Sequence, residues 1–102
     1  MKEFDVFIPL SYNDGSPVET GKLQALQEQL LEHFDGLTFF PQPNEGFWKM
    51  GSVTYRDEIV IYRVLTAKPR RGRRVLRELK EWLKREFKQE EILIIERDVE
   101  TL

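Results

Sequence analysis

The sequence contains no cysteine and a single histidine, His33. The first absence excludes a disulfide framework and thiol chemistry, and it fits a reducing, cytoplasmic setting. The second excludes metal sites built from several histidines, and no cofactor or metal site is implied by any motif. No apolar run approaches the roughly 20 residues needed to cross a membrane. The opening MKEFDVFIPL runs straight into a strand pattern and lacks the layout of a secretory leader. What is there is ordinary for a globular chain: 102 residues, 40% hydrophobic and 33% charged. That length fits one domain over residues 1–102 with a modest core.

The net charge of −2 hides a split. Residues 68–88 hold ten Lys and Arg against three Glu, a local balance of +7, so the remainder carries −9. Such a split marks either an anion-binding face or two patches that pair within the fold.

FDVFIPL (4–10) is rich in β-formers and reads as a strand. SYNDG (11–15) is a turn. Ser16, Pro17 and Glu19 then have the order of a capping box, with proline at the first helical position. Leu23, Leu26, Leu30, Leu31 and Phe34 follow at helical spacing, and Gly36 is expected to stop that helix. LTFF (37–40) is a short strand. PQPNEGFWKMG (41–51), with two prolines and two glycines, reads as a loop that carries Phe47 and Trp48. DEIVIYRVLT (57–66) is a strongly β-branched strand. Pro69 opens a second helix whose apolar stripe is Val75, Leu76, Leu79, Trp82, Leu83 and Phe87. EILIIER (91–97) is the last strand.

The order β-α-β-β-α-β predicts an α+β, ferredoxin-like domain. It has a four-stranded antiparallel sheet in the order 4-1-3-2 and two helices on one face. The strands are apolar on both sides. Phe4, Val6, Ile8 and Leu10 alternate with Asp5 and Phe7; Val60, Tyr62 and Val64 alternate with Ile59, Ile61 and Leu65; Ile92 and Ile94 alternate with Leu93 and Ile95. Helices cover one face only, so the other needs a cover of its own. The expected cover is a second copy of the chain, in a dimer or trimer.

The same topology brings the end of the first strand, the 41–56 segment and the starts of the third and fourth strands to one edge. Tyr12, Asn13, Trp48, Tyr55 and Gln89 are candidate ligand-binding residues there. Asp57, Glu58 and Glu90 are candidate acid–base groups. Aromatic walls with a few polar groups suit a small-molecule pocket. Aromatic faces and carboxylates together also suit a cation. The bland alternative is a polar strand entrance and an ordinary solvated junction. At the opposite edge, Arg70, Arg71, Arg73 and Arg74 crowd a helix N-terminus, where the dipole prefers negative charge. Either an anionic partner or pairing with Glu96, Asp98 and Glu100 answers that cost. Nucleic acid is the less favoured partner, because the chain is acidic and lacks alternating aromatics within a central strand.

The motifs Phe34-x-Gly36-Leu37-Thr38, Gly46-x-Trp48, Asp57 at a strand entrance and Gln89-Glu90 before the last strand resemble a group of small bacterial and phage proteins of ferredoxin-like fold. More distantly they resemble the phage S-adenosylmethionine lyases. That resemblance implies trimers with sites between subunits and acidic residues near the third and fourth strands. Asp57 and Glu90 would match those acids, and Trp48 the loop aromatic. An enzyme of that kind mainly holds a sulfonium in place.

Overall fold

A computed structural model describes residues 1–102. The elements are β1 (Lys2–Pro9), α1 (Thr20–His33), β2 (Gly36–Met50), β3 (Val53–Thr66), α2 (Pro69–Glu86) and β4 (Ile94–Asp98). The strands form one antiparallel sheet in the order β2-β3-β1-β4, the expected 4-1-3-2 read from the other side. The register sets the two faces. Phe4↔Val64, Val6↔Tyr62 and Ile8↔Val60 point one way; Asp5↔Arg63 and Phe7↔Ile61 point the other.

Both helices pack on the first face. Leu26 and Leu30 of α1 and Leu76, Leu79 and Leu83 of α2 are buried in one cluster with Phe4, Val6, Ile8, Val60, Tyr62 and Val64. The i, i+3, i+4 spacing of the leucines places them on one stripe per helix, and burying that stripe stabilises both helices. Phe87 closes the end of α2, fully buried and edge-on to Trp82 at 6.4 Å between centroids.

At Gly72 the helix α2 packs tightly against the sheet and the end of α1. A Cβ there would stand 3.0 Å from Thr66 Cγ2, 3.2 Å from Phe4 and 3.3 Å from Phe34. Gly72→Val is therefore expected to destabilise the fold by about 1–3 kcal/mol through overpacking, read from urea unfolding. An unchanged midpoint would mean that α2 can lift off the sheet at little cost.

Four local expectations are corrected. Ser16 does not cap α1. The helix begins at Thr20 with Glu19 as its N-cap and no side-chain cap bond. Asp14 instead accepts from both the backbone N–H and the hydroxyl of Ser16, and Pro17 forms a bridge with Ser11. The local turn has claimed the serine that a cap would use. Gly36 does not end α1; the helix stops at His33, and Gly36 starts β2. The last strand is shorter than expected, Ile94–Asp98.

The largest correction concerns 41–51. It is not a loop. It is the distal part of β2, paired with β3 from Asn44↔Ile59 to Met50↔Val53, with an irregularity between Phe40 and Asn44. The two prolines, Pro41 and Pro43, fall within that irregularity, on an edge strand where a missing N–H costs least. Gly51, at φ 63°, makes the turn that closes the hairpin. The β1–β3 ladder ends at Pro9↔Ile59. Six β2–β3 pairs, Glu45↔Glu58 to Met50↔Val53, therefore stand beyond the sheet as a two-stranded arm about 20 Å long.

Candidate functional site

The open face of the sheet is uneven. Near the ends of β3 and β4 it carries an ion cluster. Asp5 is nearly buried, its side chain 6% exposed, between Arg63 and Arg97. Arg63 donates twice to its carboxylate, at 2.8 and 3.1 Å, and Arg97 donates to it from the other side. Glu3 joins Arg97 at 3.2 Å. Burial pushes the Asp5 carboxyl up, but the two guanidiniums outweigh it and hold the group below its ordinary value. Along the rest of the face lie Phe7, Ile61, Leu93 and Ile95, each half-buried with no helix above them. Phe40 is exposed beside them, and the Arg63 guanidinium sits over its ring at 5.1 Å.

At the root of the arm this apolar strip runs into a recess of about 50 Å³. It is lined by Phe7, Pro9, Ile59, Ile92 and Leu93, with Trp48, Asp57, Gln89 and Glu91 around them. Strand alternation explains the grouping. Trp48 pairs with Tyr55, Gly46 with Asp57 and Asn44 with Ile59, so Trp48, Tyr55, Asp57 and Ile59 share one face. The Trp48 indole lies over Gly46 at ordinary contact distance. A Cβ there would lie 3.5 Å from Trp48 Nε1 and 3.6 Å from Ile59 Cδ1. Glu91 is held by Lys80 at 2.7 Å, which keeps its carboxyl below the usual range. Asp57 enters no ion pair; Arg56, beside it in sequence, bonds Glu45 at 2.6 Å.

The structure thus gathers some of the sequence-nominated residues and separates others. Trp48, Asp57 and Gln89 meet in the recess; Tyr55 is the cross-strand neighbour of Trp48. Glu58 sits opposite Glu45 in the ladder, on the face away from Asp57. Glu90 is exposed and is not part of the lining, whereas its neighbour Glu91 is. Tyr12 and Asn13 lie elsewhere. Asn13 is exposed in the 11–17 turn. The Tyr12 hydroxyl donates to Glu19 and accepts from Lys22 at 2.7 Å, and its ring lies 5.1 and 5.3 Å from the ammonium groups of Lys22 and Lys88. Tyr12 therefore ties α1 to the end of α2, and the reason is the turn at Gly15, which folds the segment back toward α1. Sequence reasoning missed Phe7, Pro9 and Leu93 as recess walls. The period-2 pattern of β1 and the β1–β4 neighbourhood were the available signals.

At the other edge, Arg73 is taken by Glu96, at 2.5 and 3.1 Å. Asp98 pairs with Lys2 at 2.7 Å. Arg70, Arg71 and Arg74 are exposed on α2 and have no such bond. The basic stretch is thus partly answered within the chain.

No family model matches the chain, and no curated protein matches it in sequence. Solved structures match it in fold. The chain is similar in fold to a phage SAM lyase. That lyase was solved in complex with S-methyl-5'-thioadenosine; the TM-score is 0.71 at 12% identity, over 95% of this chain and 80% of the lyase chain. A mutant CutA1 from Pyrococcus horikoshii OT3 is also similar, with a TM-score of 0.63 at 16% identity, over 100% of this chain and 86% of that one. Identities this low carry the ferredoxin-like fold and not an activity.

Proposed function

We propose that this protein self-associates through the open face of its sheet and binds a small molecule in the Trp48–Asp57 recess, which the association completes. The observation that carries the reading is the size and place of the recess. Ligand pockets run to about 300–1,000 Å³. At about 50 Å³, this one is far too small for a ligand in a single copy. It opens beside Phe7, Ile61, Leu93 and Ile95, the apolar strip that a second copy would cover. A neighbour packed there would turn a shallow notch into an enclosed site. Trp48 would supply a π face, Asp57 a negative charge and Gln89 a hydrogen-bonding amide. That set suits a cationic or electron-poor group, such as a sulfonium.

The second reading makes the same recess an active site for a sulfonium substrate. The fold likeness to a phage SAM lyase favours it, and Asp57 is the group best placed to hold the sulfonium charge as it redistributes. Glu58, turned to the opposite strand face, is poorly placed for this, and Glu90 stands outside the lining.

The test has two parts. Light scattering on a sizing column should return a mass of two or three times 12.2 kDa. Calorimetry should then detect binding of S-adenosylmethionine or S-methyl-5'-thioadenosine. Trp48→Ala is expected to weaken that binding by about tenfold or more, from the loss of an aromatic stack. Replacing Arg73 and Arg74 by Glu should leave it unchanged. A monomer that binds neither compound overturns the proposal. Turnover of S-adenosylmethionine abolished by Asp57→Asn would select the enzymatic reading over simple binding.

A further inference from the structure

The arm is the one element that neither the core nor the helices account for. A two-stranded ribbon standing alone in water is marginal, yet the ladder pairs from Glu45↔Glu58 to Met50↔Val53 project past the sheet. The two faces of the arm differ. Cross-strand partners share a face, and successive pairs alternate between faces. Trp48, Met50, Val53 and Tyr55 therefore lie on the side that continues Ile59 and the open face of the sheet. They are 38, 62, 48 and 50% exposed. The other side carries Glu45, Lys49, Thr54, Arg56 and Glu58, with Phe47 among them, and there Arg56 is paired with Glu45. One side of the arm is apolar and the other is mostly charged.

Area bears on what covers the apolar side. A stable interface takes about 800 Å² from each partner. On the sheet proper the bare apolar strip is Phe7, Ile61, Leu93 and Ile95, each already half-buried. Four such side chains fall well short of that area. The four on the arm are more exposed and lie on the same side, so an association through the strip alone would leave most of the exposed apolar surface wet. Polarity bears on the arrangement. Asp5, Arg63 and Arg97 hold the end of the open face that is remote from the arm. Two sheets stacked squarely would bury that ion cluster. An arm laid on a neighbour's strip covers apolar surface with apolar surface and leaves the ions at a wet rim.

We infer that the arm of each copy lies, apolar side down, on the Phe7–Ile61–Leu93–Ile95 strip of a neighbouring copy. This rests on the self-association proposed above and names the element that makes it. Every copy gives an arm and receives one, so arm and strip are both covered. The recess lies at the root of the arm, and each recess therefore closes against the neighbour that its own arm holds.

Met50 on the apolar side and Phe47 on the charged side are almost equally exposed, 62 and 61%, and make a matched pair for the test. Met50→Glu is expected to weaken self-association by about a hundredfold or more, because a carboxylate pressed onto a neighbour's strip is desolvated and unpaired. Light scattering should then return a mass falling toward 12.2 kDa. Phe47→Glu adds the same charge on the other side and should leave the mass of the unaltered chain. Both positions lie outside the core, so circular dichroism should not change in either variant. The chain has no cysteine, so introduced thiols map the contact without background. Met50→Cys and Leu93→Cys chains, co-expressed with different tags, should be joined to each other by a short bis-maleimide, and Met50→Cys chains alone should not be joined. A monomeric unaltered chain overturns the reading on which this inference rests. A multiple mass that survives Met50→Glu, or that falls equally with Phe47→Glu, overturns the role of the arm alone. Joining of Met50→Cys chains to one another, and not to Leu93→Cys, does the same, since it sets arm against arm.

Discussion

Under the self-association proposed above, Ile61→Glu is expected to yield a monomer. Ile61 lies on the open face of the central strand β3, directly opposite Phe7 in the ladder, and both are half-buried with no helix over them. Large apolar side chains grouped on a bare sheet face are more than an isolated chain usually presents to water. A carboxylate placed among them is solvated in the single chain but would be desolvated and unpaired in an association through that face, at a cost of several kcal/mol. Arg63 stands next along the same face, two residues on, but it is committed to Asp5. Light scattering should therefore return 12.2 kDa for the variant and a multiple of it for the unaltered chain. The far-ultraviolet circular dichroism should be unchanged, since the helix-facing side is untouched. Retention of the larger mass would place the association elsewhere, on the arm or the strand edges.

Asp5→Ala is expected to cost about 2–3 kcal/mol of stability. Removing one partner of a fully buried ion pair costs roughly 3–5 kcal/mol, because the surviving charge is left unpaired. Here the survivors, Arg63 and Arg97, are 37% and 39% exposed and recover part of their hydration, which argues for a value below that range. The pH dependence follows from the same geometry. The Asp5 carboxyl is depressed in the folded protein. A depressed carboxyl contributes stability that is fully present above its unfolded value, about 3.9, and that disappears as pH falls through the folded value. Unfolding midpoints of the unaltered chain and Asp5→Ala should thus differ at neutral pH and converge under strong acid. A gap that persists below both values would mean that Asp5 acts through packing rather than charge.

The architecture was legible in the sequence because helix and strand periods differ. The leucine stripes of α1 and α2 and the β-branched runs of β1 and β3 mark the element types, and the order β-α-β-β-α-β points to the β2-β3-β1-β4 sheet. Which strand face meets the helices was not legible, because the strands are apolar on both sides, and Leu31, placed on the α1 stripe, is 56% exposed. The arm was not legible for a specific reason. Pro41, Pro43, Gly46 and Gly51 are loop residues by composition, yet the prolines sit in an irregularity on an edge strand, Gly46 pairs regularly with Asp57, and only Gly51 makes a turn. Trp48 and Asp57 meet in the recess, as the topology led one to expect, because strand neighbours are fixed by the sheet order. Tyr12 was misplaced because the Asp14–Ser16 turn sends its segment toward α1.

The central strand has a consequence for how the molecule is made. β1 pairs on one side with β3 and on the other with β4, where Lys2 meets Asp98 and Val6 meets Ile94. Residues 2–6 must wait for residues 94–98, across nearly the full sequence, before the sheet has all its strands. Such distant pairings slow folding, because loop closure comes before any gain from contact. On the ribosome, β1 would spend the interval with a bare edge, beside a β2–β3 hairpin that can form locally and early. The vulnerable species is therefore the nascent chain that ends after α2, with the β1 edge of the sheet open. Chaperone capture or aggregation should concentrate at that length and fall away once residues 94–98 emerge.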